Sequence, residues 1–234
     1  MLFGWFYFDW TILIVLPAMF FSFWAQIKVH STFEKYGNTP TRGHRTGAEA
    51  ARKLLDANGL YDVKISQIPG ELSDHYNPKD RTLYLSHGVF ASTSAAAIGV
   101  ACHEAGHAIQ HATAYAPLNF RMSIIPLCRI GSGLSMPLFL IGLLFAGDFG
   151  YLFMLVGIAC FALATLFQLV TLPVEFNASS RALEGMRDCG ILYDDELNAA
   201  RKVLSAAAMT YVAALASSLL SLLRLLVIAN NRRR

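Results

Sequence analysis

The sequence predicts a mainly α-helical membrane protein that also carries one small extramembrane α+β domain. Hydrophobic residues make up 55% of the 234 residues and charged residues only 15%, whereas soluble domains average about 25% charged residues. Four long apolar stretches recur along the chain, and one polar segment, 26–121, is long enough to fold as a domain. The composition therefore argues against a soluble enzyme and against intrinsic disorder.

The first apolar stretch, residues 1–25, is predicted to be an uncleaved transmembrane anchor. It exceeds the roughly 20 helical residues that cross a bilayer. It lacks the basic start and the small-residue cleavage site of a signal peptide, and its one charged residue is Asp9.

Residues 122–172 are predicted to form a transmembrane hairpin, because the apolar stretches 123–146 and 151–172 are separated by a short break that contains Asp148. The last segment, 203–234, combines a hydrophobic helix with a basic tail. This helix carries a stripe of small and polar residues, which in membranes usually faces other helices. The sequence leaves open whether it spans the membrane or packs half-buried.

The distribution of Lys and Arg predicts that the long polar segments face the cytoplasm. Basic residues follow the first apolar stretch and none precedes it, and the hairpin break contains only an acidic residue. The last stretch has basic residues at both ends, so the side of the C-terminus stays unassigned. A net charge of +3 with no basic patch except 232–234 gives no indication of a nucleic-acid partner.

The polar segment 26–121 is predicted to contain a helix, strands and a second helix. Thr46 is a candidate N-cap for the first helix. Residues 63–68 and 81–86 alternate between apolar and polar side chains, as strands do, and a loop is expected between them. Serine and threonine at 92–94 precede an alanine-rich second helix.

The second predicted helix contains the motif HEAGH. His103 and His107 share one helical face and can bind one metal ion, while Glu104 is close enough to act on water held there. With seven His and seven Glu in the chain, about 0.006 such motifs are expected by chance. Nitrogen and oxygen ligands with one open position suit a catalytic zinc ion.

A third ligand has to come from another segment. His111 is nearest in sequence, but it lies too far along and around the helix to reach the same ion easily. Glu175 is the preferred candidate, on a helix 173–202 that Pro173 is expected to start, and Ser179 shares its face. The alternative role for Glu175 is a carboxylate that interacts favourably with the helix dipole.

These motifs resemble the bacterial membrane zinc metallopeptidases of the neutral zinc metallopeptidase (YugP-like) family along nearly the whole chain. The matching segments, in order, are TGAEAARKLL, DHYNPKDRTLYLS, HEAGHAIQH and PVEFNASSRAL. More distantly, the chain is similar to HtpX-type and CAAX prenyl endopeptidases, in which HExxH is followed after a membrane segment by ExxxD. Here Ser179 stands in place of that second acid, and its hydroxyl could still accept a hydrogen bond.

The resemblance implies a gluzincin-like zinc-peptidase domain in the bacterial cell membrane, and the distribution of Lys and Arg predicts that this domain faces the cytoplasm. It implies one Zn²⁺ ion held by His103, His107 and Glu175. Glu104 would act as general base on the attacking water and then deliver the proton to the leaving amine. Because His107 and Glu175 lie on either side of the predicted hairpin, the ion is expected where the cytoplasmic domain meets the membrane helices. Proteins or peptides, with membrane proteins among them, would then be cleaved near the membrane surface.

Several further residues are open candidates for contacts with substrate. If strand 81–86 lies at a sheet edge, it could pair with an extended peptide, and Tyr84 would then help to form a side-chain pocket. The group that stabilises the oxyanion could be His111, Arg181 or Tyr211.

Two other classes of function compete with the endopeptidase. A non-catalytic membrane scaffold or partner subunit could retain a zinc site. Glu104 argues against it, because a structural site needs a fourth protein ligand and has no use for a carboxylate beside the ligands. A transporter that uses intramembrane charges is supported only by Asp9 and Arg224. The sequence indicates neither the oligomeric state nor the cleavage preference.

Overall fold

The computed structural model of the protein describes residues 9–71 and 73–233, and the first eight residues of the predicted anchor lie outside these ranges. Within them the chain forms seven α-helices and three β-strands. In chain order these are α1 (Ile12–Gly37), α2 (Gly47–Ala57), β1 (Lys64–Ile68), β2 (His75–Asn77), β3 (Thr82–Ser86), α3 (His87–Phe90), α4 (Ala95–Ala112), α5 (Ala116–Leu144), α6 (Gly147–Asp188) and α7 (Asp194–Arg233).

Four of these helices, α1, α5, α6 and α7, are long and apolar enough to cross a membrane. The prediction of a mainly helical chain with several candidate membrane spans and a small sheet is therefore confirmed. The described chain divides into two compact units. Unit 1 comprises residues 9–24, 123–169 and 212–233, and unit 2 comprises residues 25–122 and 170–211.

In unit 1, α5 and α6 are antiparallel neighbours that pack closely through glycine. A Cβ atom at Gly142 would lie 2.6 Å from the backbone nitrogen of Met154, and one at Gly157 would lie 2.7 Å from that of Phe139. Helix α6 already begins at Gly147, so the connection between the helices is shorter than the sequence break suggested.

Helices α1 and α7 run in opposite directions within unit 1. The hydroxyl groups of Ser22 and Ser217 are hydrogen-bonded at 2.9 Å. Further along α7, Arg224 donates to Asp9 Oδ2 at 2.7 Å and to Thr11 Oγ1 at 3.0 Å, ahead of the first turn of α1. The two charges that a transporter would have needed therefore pair with each other, which gives them a structural role.

The C-terminal end of α7 lies beside the hairpin turn. The Arg232 side chain donates a hydrogen bond to the Phe145 carbonyl at 3.4 Å, and Leu225 and Ala229 share a buried cluster with Phe139. The hairpin turn, Asp9 and the end of α7 therefore lie at one end of unit 1.

The sheet of unit 2 has the order β1-β3-β2. Strand β3 pairs in parallel with β1 and antiparallel with β2, with Tyr76 opposite Leu83. Because β3 is central, the expectation that 81–86 could be an edge strand available to a substrate was wrong. Strand β2 has only three residues, too few to show an alternating pattern, and it lies in the segment that was expected to be a loop.

The helices of unit 2 pack around a buried core that includes Leu54, Leu85 and Ile98. Thr46 is the N-cap of α2, as predicted: its side chain accepts from the Glu49 backbone, and the Glu49 side chain accepts from the Thr46 backbone. These two reciprocal bonds satisfy backbone donors that a helix N-terminus leaves unpaired.

Pro173 does not start a helix, because α6 runs without a break from Gly147 to Asp188. A proline removes one backbone donor, but long membrane helices tolerate it where neighbouring groups satisfy the freed carbonyl. The expectation of a new helix at 173 was therefore wrong, and Glu175 lies inside a helix that also contains a long apolar stretch.

Candidate metal centre

The HEAGH helix, α4, packs against α6 at very short range. A Cβ atom at Gly106 would lie 2.5 Å from the Ala178 carbonyl oxygen, and Ala178 itself is completely buried. Since only glycine permits this approach, the sequence HEAGH brings its two histidines directly against the α6 segment that contains Glu175 and Ser179.

Replacing Gly106 with alanine is expected to destabilise the protein by about 1–3 kcal/mol, the usual result of overpacking. This exceeds the gain of about 1 kcal/mol that alanine has over glycine in a helix, because a backbone carbonyl cannot rotate away from the new methyl group. Thermal unfolding of the purified protein would measure the change. Gly88→Ala is the matched control, since a Cβ atom there meets nothing within 4 Å. Equal stability of the two variants would contradict the tight contact.

Three side chains that could hold a metal ion converge at this contact: His103, His107 and Glu175. Glu175 Oε2 lies 3.3 Å from His103 Nε2 and 3.6 Å from His107 Nε2. Ligand atoms about 2.0–2.1 Å from a tetrahedral zinc ion are about 3.3 Å from one another. The spacing and the donor atoms therefore fit a zinc ion held by two imidazoles and one carboxylate oxygen.

Arg121 holds the other oxygen of Glu175. Its Nη1 donates to Glu175 Oε1 at 2.8 Å, while Oε2 faces the two imidazoles. Glu175 is almost completely buried, with 4% of its surface exposed, so a positively charged partner offsets much of the unfavourable burial of the carboxylate. Tyr211 on α7 also interacts with this carboxylate.

Each histidine is oriented through its second ring nitrogen. His107 Nδ1 lies 2.9 Å from Gln110 Oε1, and His103 Nδ1 lies 3.1 Å from Ser179 Oγ. The amide oxygen can only accept, so His107 carries its proton on Nδ1 and keeps the Nε2 lone pair free for a metal.

Gln110 also connects α4 to α6. Its side chain is completely buried, and its Nε2 donates to the Val174 carbonyl at 2.8 Å and to Asn177 Oδ1 at 3.0 Å. The residue that orients His107 is thus bonded to the residue directly before Glu175. This network fixes the position of one imidazole relative to the carboxylate.

Glu104 lies beside the three potential ligands and is 9% exposed. Its Oε2 accepts a hydrogen bond from the Tyr76 backbone N–H at 3.0 Å. Burial raises the pKa of the Glu104 carboxyl group above its ordinary value. A raised pKa brings a carboxylate closer to the range in which it can both accept and return a proton near neutral pH.

The remaining sequence candidates have other partners. His111 lies outside the potential metal group, and its Nδ1 is 2.9 Å from the Tyr76 hydroxyl. The Tyr84 hydroxyl donates to Asp80 at 2.8 Å. Arg181 donates to Asn177 at 2.8 Å, and its guanidinium group lies over the Tyr115 ring. Of the three oxyanion candidates, Tyr211 is the one that interacts directly with Glu175.

Sequence reasoning missed Arg121, Gln110 and the backbone of Tyr76. In the sequence, Arg121 is simply a basic residue just before the second apolar stretch and belongs to no recognisable motif. Gln110 did leave a signal, because it is a long amide three residues after His107, on the same side of the helix.

Replacing Arg121 with glutamine is expected to weaken zinc binding about 10- to 100-fold, the usual effect of losing a group that orients a metal ligand. Glutamine cannot supply the charged donor that holds Glu175 Oε1, so the carboxylate would rotate more freely. Competition with a fluorescent zinc chelator would measure the affinity. Arg187→Gln, at an exposed position on α6, is the control. The interpretation of Arg121 fails if the two variants bind zinc equally well.

Comparisons with known proteins identify the family of this chain. The family described as "Putative neutral zinc metallopeptidase" matches residues 11–230. The "Putative membrane protease YugP" of Bacillus subtilis (strain 168) is 48% identical over 222 residues, which cover 95% of this chain and 97% of that protein. No solved structure matches the chain significantly. Since the family match extends over nearly the whole chain, the protein belongs to this neutral zinc metallopeptidase family.

Proposed function

We propose that the protein is a membrane-bound, zinc-dependent endopeptidase that hydrolyses peptide bonds close to the cytoplasmic membrane surface. The main support is the arrangement of two imidazole nitrogens and one carboxylate oxygen at the spacing of a tetrahedral zinc site, with the buried Glu104 beside them. A structural zinc site would be closed by a fourth protein ligand, whereas three ligands leave a position for water.

In this proposal His103, His107 and Glu175 hold the metal, as in gluzincin-type sites. A bound zinc ion supplies a Lewis acid and lowers the pKa of water to about 7. Glu104 accepts the proton of the attacking water and then donates it to the leaving amine, as its burial and raised pKa favour. Ser179 and Gln110 keep the histidine rings in position.

An extended peptide is the substrate that fits the sheet next to Glu104. Strand β2 lies at the edge of the sheet, and the Tyr76 backbone N–H on its outer side reaches the Glu104 carboxylate. A sheet edge recognises extended peptides through main-chain hydrogen bonds, and a peptide that pairs with β2 would take over the Tyr76 N–H that Glu104 now accepts from. Proteins and peptides are thus the proposed substrates, and β2 replaces β3 as the strand that would align them.

Two residues of the proposed site lie close to apolar helical segments. Glu175 follows the apolar part of α6, and Arg121 precedes that of α5. The scissile bond is therefore proposed to lie near the membrane surface, which favours membrane proteins, their juxtamembrane tails and misfolded chains as substrates.

The proposed orientation places unit 2 in the bacterial cytoplasm and the C-terminus on the other side of the membrane. The excess of Lys and Arg after α1 favours the first part, and the contact of Arg232 with the hairpin turn favours the second. In intact cells, an Asn231→Cys variant is expected to react with a membrane-impermeant maleimide. Asp188→Cys is expected to react only after permeabilisation, and the parent chain gives the background labelling. The reverse pattern would contradict the orientation.

Hydrolysis of a membrane-anchored peptide reporter in detergent micelles tests the proposed function. The expected result is cleavage that a zinc chelator abolishes and that added zinc restores. A reporter with the same cleavable segment moved far from its anchor should be cleaved more slowly. Bound zinc without cleavage of any reporter would instead favour the non-catalytic scaffold.

A further inference from the structure

Unit 1 contains a cleft between α5 and α6 that has no part in the proposed reaction. Its volume is about 280 Å³, and its walls include Ile125, Cys128, Arg129, Ala164, Phe167 and Gln168. The lining is mostly apolar, but a guanidinium group and a carboxamide group also face the cleft. An apolar groove with two adjacent polar donors is suited to an amphipathic ligand.

Arg129 is the unusual member of this lining. Among the described residues, the ion pairs of the arginines involve Arg42, Arg52, Arg81, Arg121 and Arg224, and none involves Arg129. A charged side chain on a membrane helix is unfavourable by several kcal/mol unless it is paired or reaches the interface. No acidic side chain of the described residues pairs with Arg129, so an anionic lipid headgroup would be a favourable partner for it.

Counted along α6 from the hairpin turn, Gln168 would lie close to the level of the lipid headgroups at the far end of the membrane helices. Gln168 follows the start of α6 at Gly147 by 21 residues, which is about 31 Å of helix, and the hydrocarbon core is about 30 Å thick. Arg129 lies somewhat deeper, but its long side chain can extend its charged end towards the interface.

We propose that this cleft binds one anionic phospholipid. The lipid phosphate would accept hydrogen bonds from Arg129 and Gln168, with Ile125 and Phe167 beside the headgroup. An acyl chain would run past Cys128 and Ala164 towards the membrane interior. Basic pockets between membrane helices are a recognised arrangement for acidic headgroups, and the apolar walls favour a lipid over a free phosphate ion.

Lipid titration of the purified full-length protein, followed by native mass spectrometry, tests this proposal. Phosphatidylglycerol is expected to bind more tightly than phosphatidylcholine. Arg129→Gln should weaken phosphatidylglycerol binding roughly fivefold to tenfold, and Arg187→Gln, an exposed charge in unit 2, should leave it unchanged. Millimolar inorganic phosphate should not displace the lipid.

A second variant distinguishes lipid binding in the cleft from non-specific attraction of anionic lipid to the charged protein surface. Ala164→Phe leaves every charge in place but fills the groove, so it should also weaken phosphatidylglycerol binding. The proposal is overturned if neither variant changes binding, if inorganic phosphate displaces the lipid, or if Arg129→Gln weakens binding while Ala164→Phe does not.

Discussion

Replacing Glu104 with glutamine is expected to lower the rate of peptide hydrolysis by about 10²–10⁴-fold, the usual contribution of a general acid–base group. The amide keeps the size of the side chain and an oxygen that can accept from the Tyr76 N–H, but it cannot take a proton from water. The variant should therefore keep its fold and its zinc. Single-turnover hydrolysis of a reporter peptide, with zinc content measured on the same sample, would show both effects.

Glu184→Gln is the matched control for this change, because Glu184 is exposed on α6 and bonds to Ser180. It should retain the activity of the natural protein. Hydrolysis by Glu104→Gln at a comparable rate would remove Glu104 from the proposed chemistry, whereas loss of zinc would point to a structural role for this carboxylate.

Replacing Glu175 with glutamine is expected to weaken zinc binding more than about 100-fold. Removing a group that only orients a metal ligand weakens binding by about 100-fold at most. A neutral amide is a poor ligand for zinc, but its oxygen can still accept from Arg121, so this half-buried arginine would not lose every partner. Equilibrium dialysis against a zinc buffer would measure the affinity, and activity should fall in parallel.

His111→Ala provides the comparison, since His111 is the other residue near the motif that sequence reasoning considered as a third ligand. Its ring contacts the Tyr76 hydroxyl and lies outside the potential metal group. Zinc affinity should remain close to that of the natural protein. If His111→Ala lost zinc and Glu175→Gln kept it, the assignment of the third ligand would have to be exchanged.

The parts of this site that could be predicted depend on local patterns. The i, i+4 spacing of His103 and His107 places both imidazoles on one helical face without any knowledge of the rest of the fold. Thr46 identified the start of α2 for a similar reason, because a helix N-cap is recognised within four residues. Glu175 could be proposed as the third metal ligand because it is a carboxylate directly after an apolar stretch. A helix there can carry its side chain to the two histidines.

The parts that could not be predicted depend on pairing between distant segments. Strand β2 is only three residues long, yet its pairing makes β3 central and changes which strand edge is next to Glu104. The bond between Arg121 and Glu175 joins α5 to α6 across the whole hairpin. Pro173 was misleading because its usual preference for helix starts is overridden inside a long membrane helix.

The contacts within unit 1 also bear on which of the competing functional hypotheses is favoured. Asp9 and Arg224 pair with each other, so neither is an unpaired charge that would by itself indicate a transport pathway. The scaffold hypothesis is compatible with a zinc ion, but it gives no reason for a buried carboxylate beside the ligands. Glu104 is therefore the residue that distinguishes an enzyme from a scaffold.

X-ray absorption at the zinc edge of the purified protein tests the central claim most directly. The account predicts one zinc ion per chain, with two imidazole nitrogens and further oxygen ligands about 2.0–2.2 Å away. Sulfur ligands at about 2.3 Å would mean that some of the four cysteines, which are free in the structure, bind the ion instead. That result, or the absence of zinc, would contradict the site formed by His103, His107 and Glu175.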